Sequence, residues 1–213
     1  MACGNALYKN EEHICSRCQH SLPKTNFHKS DDNPIMKLFW GRVNLSKASS
    51  FYYFNKGNKV QNLLHQLKYN GQQELGMKLG RMYGSELIRI AGYETIDYII
   101  PVPLHFKKEK KRGYNQSEMI AIGLSQIFKK PVLTTVLLRS KNNETQTNKA
   151  RFKRWENVDS VFEINNRDML KGKNILLVDD VITTGATLES CANQLLQIPD
   201  TQVNVATIAY ANL

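Results

Sequence analysis

No apolar run in the 213 residues approaches the roughly 20 that a membrane helix requires, so a transmembrane span is excluded. The opening residues, MACGNALYKNEEH, lack the basic, then apolar, then small-residue order of a secretory signal, and the chain is expected to stay in the cytoplasm. Cysteine is scarce, with only four, and in that compartment disulfides are not expected. Acidic residues are outnumbered, 19 against 29 lysines and arginines, which leaves a net charge of +10 and a pI near 9.4. That balance suits an anionic partner, either a phosphate-bearing metabolite or nucleic acid, and it equally suits a basic protein whose charge only keeps it soluble. The placement of the charges therefore matters more than their sum. No internal repeat is present.

An apolar fraction of 41% and a charged fraction of 23% are ordinary for a soluble globular chain. The length suits one well-cored domain of about 100 to 150 residues with a small appendage. Residues 1–45 read as that appendage and its linker, because three of the four cysteines and three of the five histidines fall within the first 30 positions. Residues 46–213 read as the main domain. A strand is expected over Phe51 to Phe54. A helix follows from Asn58, with Val60, Leu63, Leu64 and Leu67 on one face and a stop at Asn70-Gly71. The next helix carries Gly76, Gly80 and Gly84 at four-residue spacing, a smooth stripe that lets another backbone come close. DYIIPVP reads as a short buried strand ended by prolines, and a helix is expected from Ser117 to Phe128. VFEI, KNILLVDD, a helix over 186–197 and QVNVATIAYA complete an alternation of strands and helices. Such an alternation implies an α/β fold with a parallel sheet covered on both faces.

Within ILLVDDVITTGAT, an oily strand runs straight into two adjacent carboxylates, Asp179 and Asp180. Like charges side by side repel, and a buried carboxylate is costly unless something pairs with it. Ligands of open α/β sheets bind at the carboxyl ends of strands, where this pair stands. The small and hydroxylated residues that follow lead into a helix N-terminus whose amides and dipole suit a phosphate, and Gly185 permits the tight turn. A phosphate cradle beside two carboxylates suits a sugar phosphate. An ordinary N-cap would also use Asp and Thr, but it needs no second acid.

This stretch resembles the motif by which type I phosphoribosyltransferases bind 5-phosphoribosyl 1-diphosphate (PRPP). The remainder is similar to the ComF (ComFC/GntX-like) family of that superfamily, through PVPL at Pro101 to Leu104, RGYNQ at Arg112 to Gln116, the Q-T-rich loop at Glu144 to Arg154 and the cysteine segment Cys3 to Pro23. The resemblance implies a type I phosphoribosyltransferase fold with an N-terminal zinc-knuckle-like appendage. It implies that Asp179 and Asp180 contact the ribose hydroxyls, that Thr183, Thr184, Gly185, Ala186 and Thr187 hold the 5′-phosphate, and that Val102, Pro103 and Leu104 lie in the pyrophosphate loop. It further implies PRPP with Mg²⁺ as ligand, transfer of phosphoribosyl with release of pyrophosphate, and a role in DNA uptake alongside competence-machinery proteins.

Two basic segments accompany the motif. His105 to Asn115 holds five cations against Glu109, and Arg112 is the expected catalytic contact because its fork grips phosphate bidentately. A solvated charged turn is the bland alternative. The stretch from 139 to 157 interleaves cations with Phe152 and Trp155, so Lys153, Arg154 and Trp155 are candidates for single-stranded DNA; the same stretch could instead cover bound PRPP, or pack locally. Cys191 is expected to be a buried small hydrophobe, since the reaction needs no covalent nucleophile.

Cys15-Ser-Arg-Cys18 with Cys3 reads as a structural Zn²⁺ site. Zinc takes four ligands. The ComF pattern has a further cysteine three residues before Cys3, which would fall before Met1; otherwise the fourth ligand is His13 or His20, or the site is weak. Two functions stay open at this point: a phosphoribosyl-transferring enzyme of unstated acceptor, or a protein that keeps the fold to handle single-stranded DNA or sense PRPP.

Overall fold

The computed structural model describes residues 1–139 and 161–211. In chain order, helix α1 (Ser16–Ser21) and helix α2 (Pro34–Phe39) precede strand β1 (Lys47–Phe54), followed by helices α3 (Lys59–Tyr69) and α4 (Gln73–Leu87). Strand β2 (Tyr98–Pro101), helices α5 (Phe106–Arg112) and α6 (Gln116–Phe128) and the short strands β3 (Leu137–Arg139) and β4 (Phe162–Ile164) come next. Strand β5 (Asn174–Ile182), helix α7 (Ala186–Leu196) and strand β6 (Gln202–Ala211) complete the fold. Among the described residues no helix is long and apolar enough to cross a membrane.

The main sheet has the order β1-β6-β5-β2, and each of its pairings is parallel. One face packs against α3, α4 and α6 through Leu176, Val178, Ala206 and Ile208. The other packs against α2 and α7 through Ile175, Leu177, Val203 and Val205. Burial on both faces is why β5 is a continuous apolar run instead of an alternating one. The N-terminal segment docks on the first face, where Ile14, Cys18 and Leu22 are buried with Phe51 and Leu63.

Helix α3 starts where the side chain of Asn58 accepts from the amide of Gln61. Helices α4 and α6 approach through their glycines: an added Cβ on Gly80 would collide with the carbonyl of Ile120, and one on Gly123 with the carbonyl of Met77. The glycine stripe is thus a surface of tight packing, as its spacing implies.

Two local expectations change, and one unassigned run gains an element. The strand expected over Phe51 to Phe54 begins at Lys47, because Ala48, Ser49 and Ser50 continue the ladder to β6. VFEI does not join the parallel sheet; its Phe162–Ile164 portion pairs antiparallel with Leu137–Arg139 in a separate two-stranded sheet. The basic run after β2, for which the sequence pattern assigns no element, is the helix α5. Lysine, glutamate and arginine are good helix formers, His105 caps its start, and Gly113 at φ +80° ends it.

Gly123→Ala should lower stability by about 1 to 3 kcal/mol, since a backbone carbonyl cannot rotate away from the new methyl. Urea unfolding reads this as a lower midpoint. An unchanged midpoint would mean that α4 and α6 have room to part.

Candidate functional site

Strand β5 carries Ile175 to Val178 through the middle of the sheet and delivers Asp179 and Asp180 just past its last pairing with β2, while it continues against β6 to Ile182. The next segment after β2 is tied to the same rim, because the amide of Val102 donates to the carbonyl of Val178 at 2.8 Å.

Asp179 is held from two sides. Its Oδ1 accepts from the hydroxyl of Ser117 at 2.8 Å and from the amide of Asp180 at 2.8 Å. Ser117 is itself placed by the capping residue of α6: Asn115 Oδ1 accepts from the amide of Ser117 at 3.0 Å, and Asn115 Nδ2 donates to the carbonyl of Val102 at 2.9 Å. One asparagine therefore fixes both the segment after β2 and the serine that orients Asp179. Burial, with the neighbouring charge of Asp180, pushes the Asp179 carboxyl up to about 7, against the pull of the Ser117 and Asp180 donors and of Lys68. Asp180 pairs with Lys68 from the end of α3, Oδ2 to Nζ at 2.8 Å.

Beyond Ile182 the chain turns at Gly185, φ +78°, and enters α7. Thr183, Thr184, Ala186 and Thr187 are exposed there; the first-turn amides of a helix have no backbone partner within it, and that of Ala186 donates to the Thr184 hydroxyl at 3.5 Å. The turn is backed from behind. A Cβ on Gly185 would lie 3.1 Å from the ring of Phe39, and Arg42 donates to the carbonyl of Thr184 at 3.4 Å while pairing with Glu189 in the first turn of α7.

On the α5 side lies a cleft of about 290 Å³ lined by Lys68, Tyr69, Lys108, Lys111 and Arg112. The guanidinium of Arg112 sits 5.4 Å from the centre of the Tyr69 ring and donates to Gln116 Oε1 at 2.6 Å. The hydroxyl of Tyr114 donates to the carbonyl of Leu67, fastening α3 to the start of α6. A second cavity of about 180 Å³ borders Pro103, Leu104, Phe106, Glu118 and Arg139. Cys191 is buried in the apolar layer beneath α7, and burial raises its thiol well above the ordinary range, which favours the protonated form.

At the N-terminus the sulfurs of Cys3, Cys15 and Cys18 all lie within 4.8 Å of one another, with Cys3 and Cys15 at 3.8 Å. Tetrahedral coordination at a metal–sulfur distance of about 2.3 Å separates two sulfurs by about 3.8 Å, so the thiols could hold a metal ion as they stand. Among the described residues neither His13 nor His20 joins the group. His20 instead places Nδ1 2.8 Å from the carbonyl of Ser16.

The fold thus gathers Asp179, Asp180, Arg112, the 102–104 segment and the 183–187 turn on one rim. Lys153, Arg154 and Trp155 lie outside the described residues. Lys68, Ser117, Arg42 and Phe39 join the site without having been expected there. Ser117 is adjacent to the RGYNQ stretch, and that proximity was the one available signal; Lys68 and Arg42 are single cations in unremarkable surroundings.

A family model described as phosphoribosyl transferase domain matches residues 96–212. DNA utilization protein YhgH of Escherichia coli (strain K12) is 30% identical over 138 residues, covering 63% of this chain and 60% of that protein. The chain therefore spans 60% of the length of that relative. Competence protein ComFC of Bacillus subtilis (strain 168) is 27% identical over 198 residues, covering 92% of this chain and 77% of that one. Among solved structures, the allosteric regulatory enzyme of purine biosynthesis superposes with a TM-score of 0.50 at 20% identity, over 67% of this chain and 29% of that chain, a likeness of fold.

Because Asp179 is raised in the folded state, its carboxyl costs stability where the unfolded chain ionises and the folded chain does not. The advantage of Asp179→Asn should be near zero below pH about 4, grow between about 4 and 7, and then level off. Thermal melts across that range should show a gain of several degrees at the upper end, since each kcal/mol moves the midpoint by about 2 to 4 °C in a chain of this size. An equal gain at every pH would mean that the carboxyl titrates as it does in the unfolded chain.

Proposed function

The chain belongs to the phosphoribosyl transferase family and is a ComF-type member of it, and from this we propose that the rim at the end of β5 binds PRPP and transfers its phosphoribosyl group with release of pyrophosphate. The observation that carries the reading is the held acid pair, with Asp179 fixed by Ser117 and with only Val181 and Ile182 between Asp180 and the exposed turn that opens α7. Vicinal ribose hydroxyls donate to the two carboxylates, and the amides and hydroxyls of residues 183–187 take the 5′-phosphate. The diphosphate then meets Val102 to Leu104 and the cations of the cleft, with Arg112 as the catalytic contact because it lies on the leaving-group side.

In this reaction a nitrogen lone pair of the acceptor, a ring nitrogen or ammonia, bonds to C1 of the ribose as the C1–O bond to the diphosphate breaks. The diphosphate leaves with the electron pair, and the acceptor's proton passes to solvent. The transition state is oxocarbenium-like, so positioning and neutralisation of the leaving group supply the rate. Hard carboxylate oxygens beside a diphosphate are a donor set that fits Mg²⁺. When bound, the ion neutralises phosphate charge and orients the leaving group.

In the same reading residues 1–45 are the metal-bearing segment and 46–213 the transferase domain. The metal is Zn²⁺, held by Cys3, Cys15 and Cys18 as thiolates, with a structural role far from the acid pair. Relatives named for DNA utilization and for competence favour a second reading, in which the fold binds PRPP without turnover and the chain handles single-stranded DNA. The basic and aromatic Lys153, Arg154 and Trp155, together with competence-machinery proteins as partners, belong to that reading.

Calorimetric titration of PRPP with Mg²⁺ should give a saturable heat that Asp179→Asn/Asp180→Asn weakens by about a hundredfold or more. Pyrophosphate released by the same sample with an added base or amine identifies an enzyme. Binding without release, together with salt-sensitive affinity for single strands, favours the second reading. No binding by the native chain would end the sugar-phosphate assignment.

Zinc analysis should find about one ion per chain, and a chelator should lower the melting temperature. A melting temperature indifferent to chelation would remove the ion's structural role.

A further inference from the structure

Lys68 touches two parts of the rim at once. Its Nζ pairs with Asp180 Oδ2 at 2.8 Å, and its side chain lines the basic cleft with Tyr69, Lys108, Lys111 and Arg112. It stands in the last turn of α3, whose end is fastened by the bond from the Tyr114 hydroxyl to the carbonyl of Leu67. The pair is one-quarter exposed on the lysine side and 13% exposed on the aspartate side, so it is sheltered without being sealed.

An ion pair on Asp180 occupies the acceptor oxygen that the ribose hydroxyls require. A lysine ammonium is a compact charge on a stem of four rotatable carbons and can swing without moving its helix. A diphosphate in the adjoining cleft is a stronger anion than one carboxylate, so the ammonium gains by moving toward it.

We propose that Lys68 is an exchangeable counter-ion, which neutralises Asp180 while the rim is empty and passes to the diphosphate when the sugar takes the carboxylates. The proposal rests on the PRPP reading. It assigns the cleft's nearest cation a double duty: holding the acid pair together without ligand, and reporting whether the incoming sugar phosphate carries a diphosphate. Ribose 5-phosphate must break the pair and offers Lys68 nothing in return. PRPP breaks it and supplies the replacement. Lys68 is thus a specificity-determining residue that penalises the product-like sugar relative to the substrate.

The test compares the native chain, Lys68→Met and Lys68→Arg by calorimetric titration with ribose 5-phosphate and with PRPP, each with Mg²⁺. Methionine keeps the stem and removes the charge. Lys68→Met should bind ribose 5-phosphate about two- to fivefold more tightly, because the competitor for Asp180 is gone, and PRPP about tenfold or more weakly, because the diphosphate loses a charged donor. Lys68→Arg should keep PRPP affinity within about threefold of native. The opposite signs for the two ligands are the readout, since a merely structural ion pair would weaken both together or neither. Equal weakening, or no change with either ligand, overturns the exchange while leaving the PRPP site intact. Absence of binding of both ligands to the native chain removes the site reading and this inference with it.

Discussion

Strand β5 is hydrogen-bonded on both sides, to β2 and to β6, and helices cover both faces of Ile175 to Val178. A backbone so enclosed carries only apolar side chains over those four residues. Asp179 and Asp180 follow directly after the last pairing with β2, largely sheltered, while β5 runs on against β6 to Ile182. The same parallel pairing brings the end of β2, and so the 102–104 segment and α5, alongside them. Burial of a four-residue apolar stretch therefore determines where charge can appear, and every polar contact of the rim is arranged around that point.

Charge at the rim is uneven by design of the fold. Two carboxylates share one end of a strand, and one of them is raised toward neutrality by burial and by its neighbour. Ser117, the Asp180 amide and Lys68 each offset part of that cost, and none removes it. A site kept in this condition is stabilised by a ligand that brings hydroxyl donors to the acids and anionic oxygen to the surrounding cations. The net positive charge of the whole chain favours the approach of such a ligand. Binding sites commonly hold groups whose removal would stabilise the empty protein, and Asp179 has the physical marks of one.

What could be read from the sequence was whatever the chain expresses locally. The strand, turn and helix of residues 174–196 lie in continuous order, so their chemistry was legible as a motif, and the periodicity of α3 and α6 placed those helices within a residue or two, while that of α4 showed a helix without fixing its ends. VFEI was placed in the main sheet and its partner β3 was not read at all, because three-residue strands carry no period and a strand's partner is not written in its own residues. The helix α5 went unassigned because it buries nothing and so shows no apolar period. Lys68, Ser117 and Arg42 escaped notice for another reason: each acts across the fold, on Asp180, Asp179 and Thr184, and an isolated lysine at a helix end has the same sequence appearance whether it meets solvent or a carboxylate. The cysteine group was legible from spacing, and the structure adds that its sulfurs are already gathered.

The cysteine segment and the rim are linked through one helix. At the start of α3, Lys59 donates to the hydroxyl of Ser21 at 3.0 Å and Asn62 to the carbonyl of Ala2 at 3.0 Å. At its end, Leu67 accepts from Tyr114, Lys68 reaches Asp180, and Tyr69 lies under Arg112. A helix of 11 residues is marginal in water on its own, so its position is set by what holds its two ends. The N-terminal end rests on residues that flank the three thiols, and the C-terminal end supplies the cation and the ring of the basic cleft. An ion that orders Cys3, Cys15 and Cys18 would therefore bear on the rim mechanically, by steadying the base of the helix that presents Lys68, with no contact between metal and ligand. The basic cleft is in this sense built from two separate stretches of chain, the end of α3 and the helix α5, and α3 is the element that also ties it to the cysteine segment.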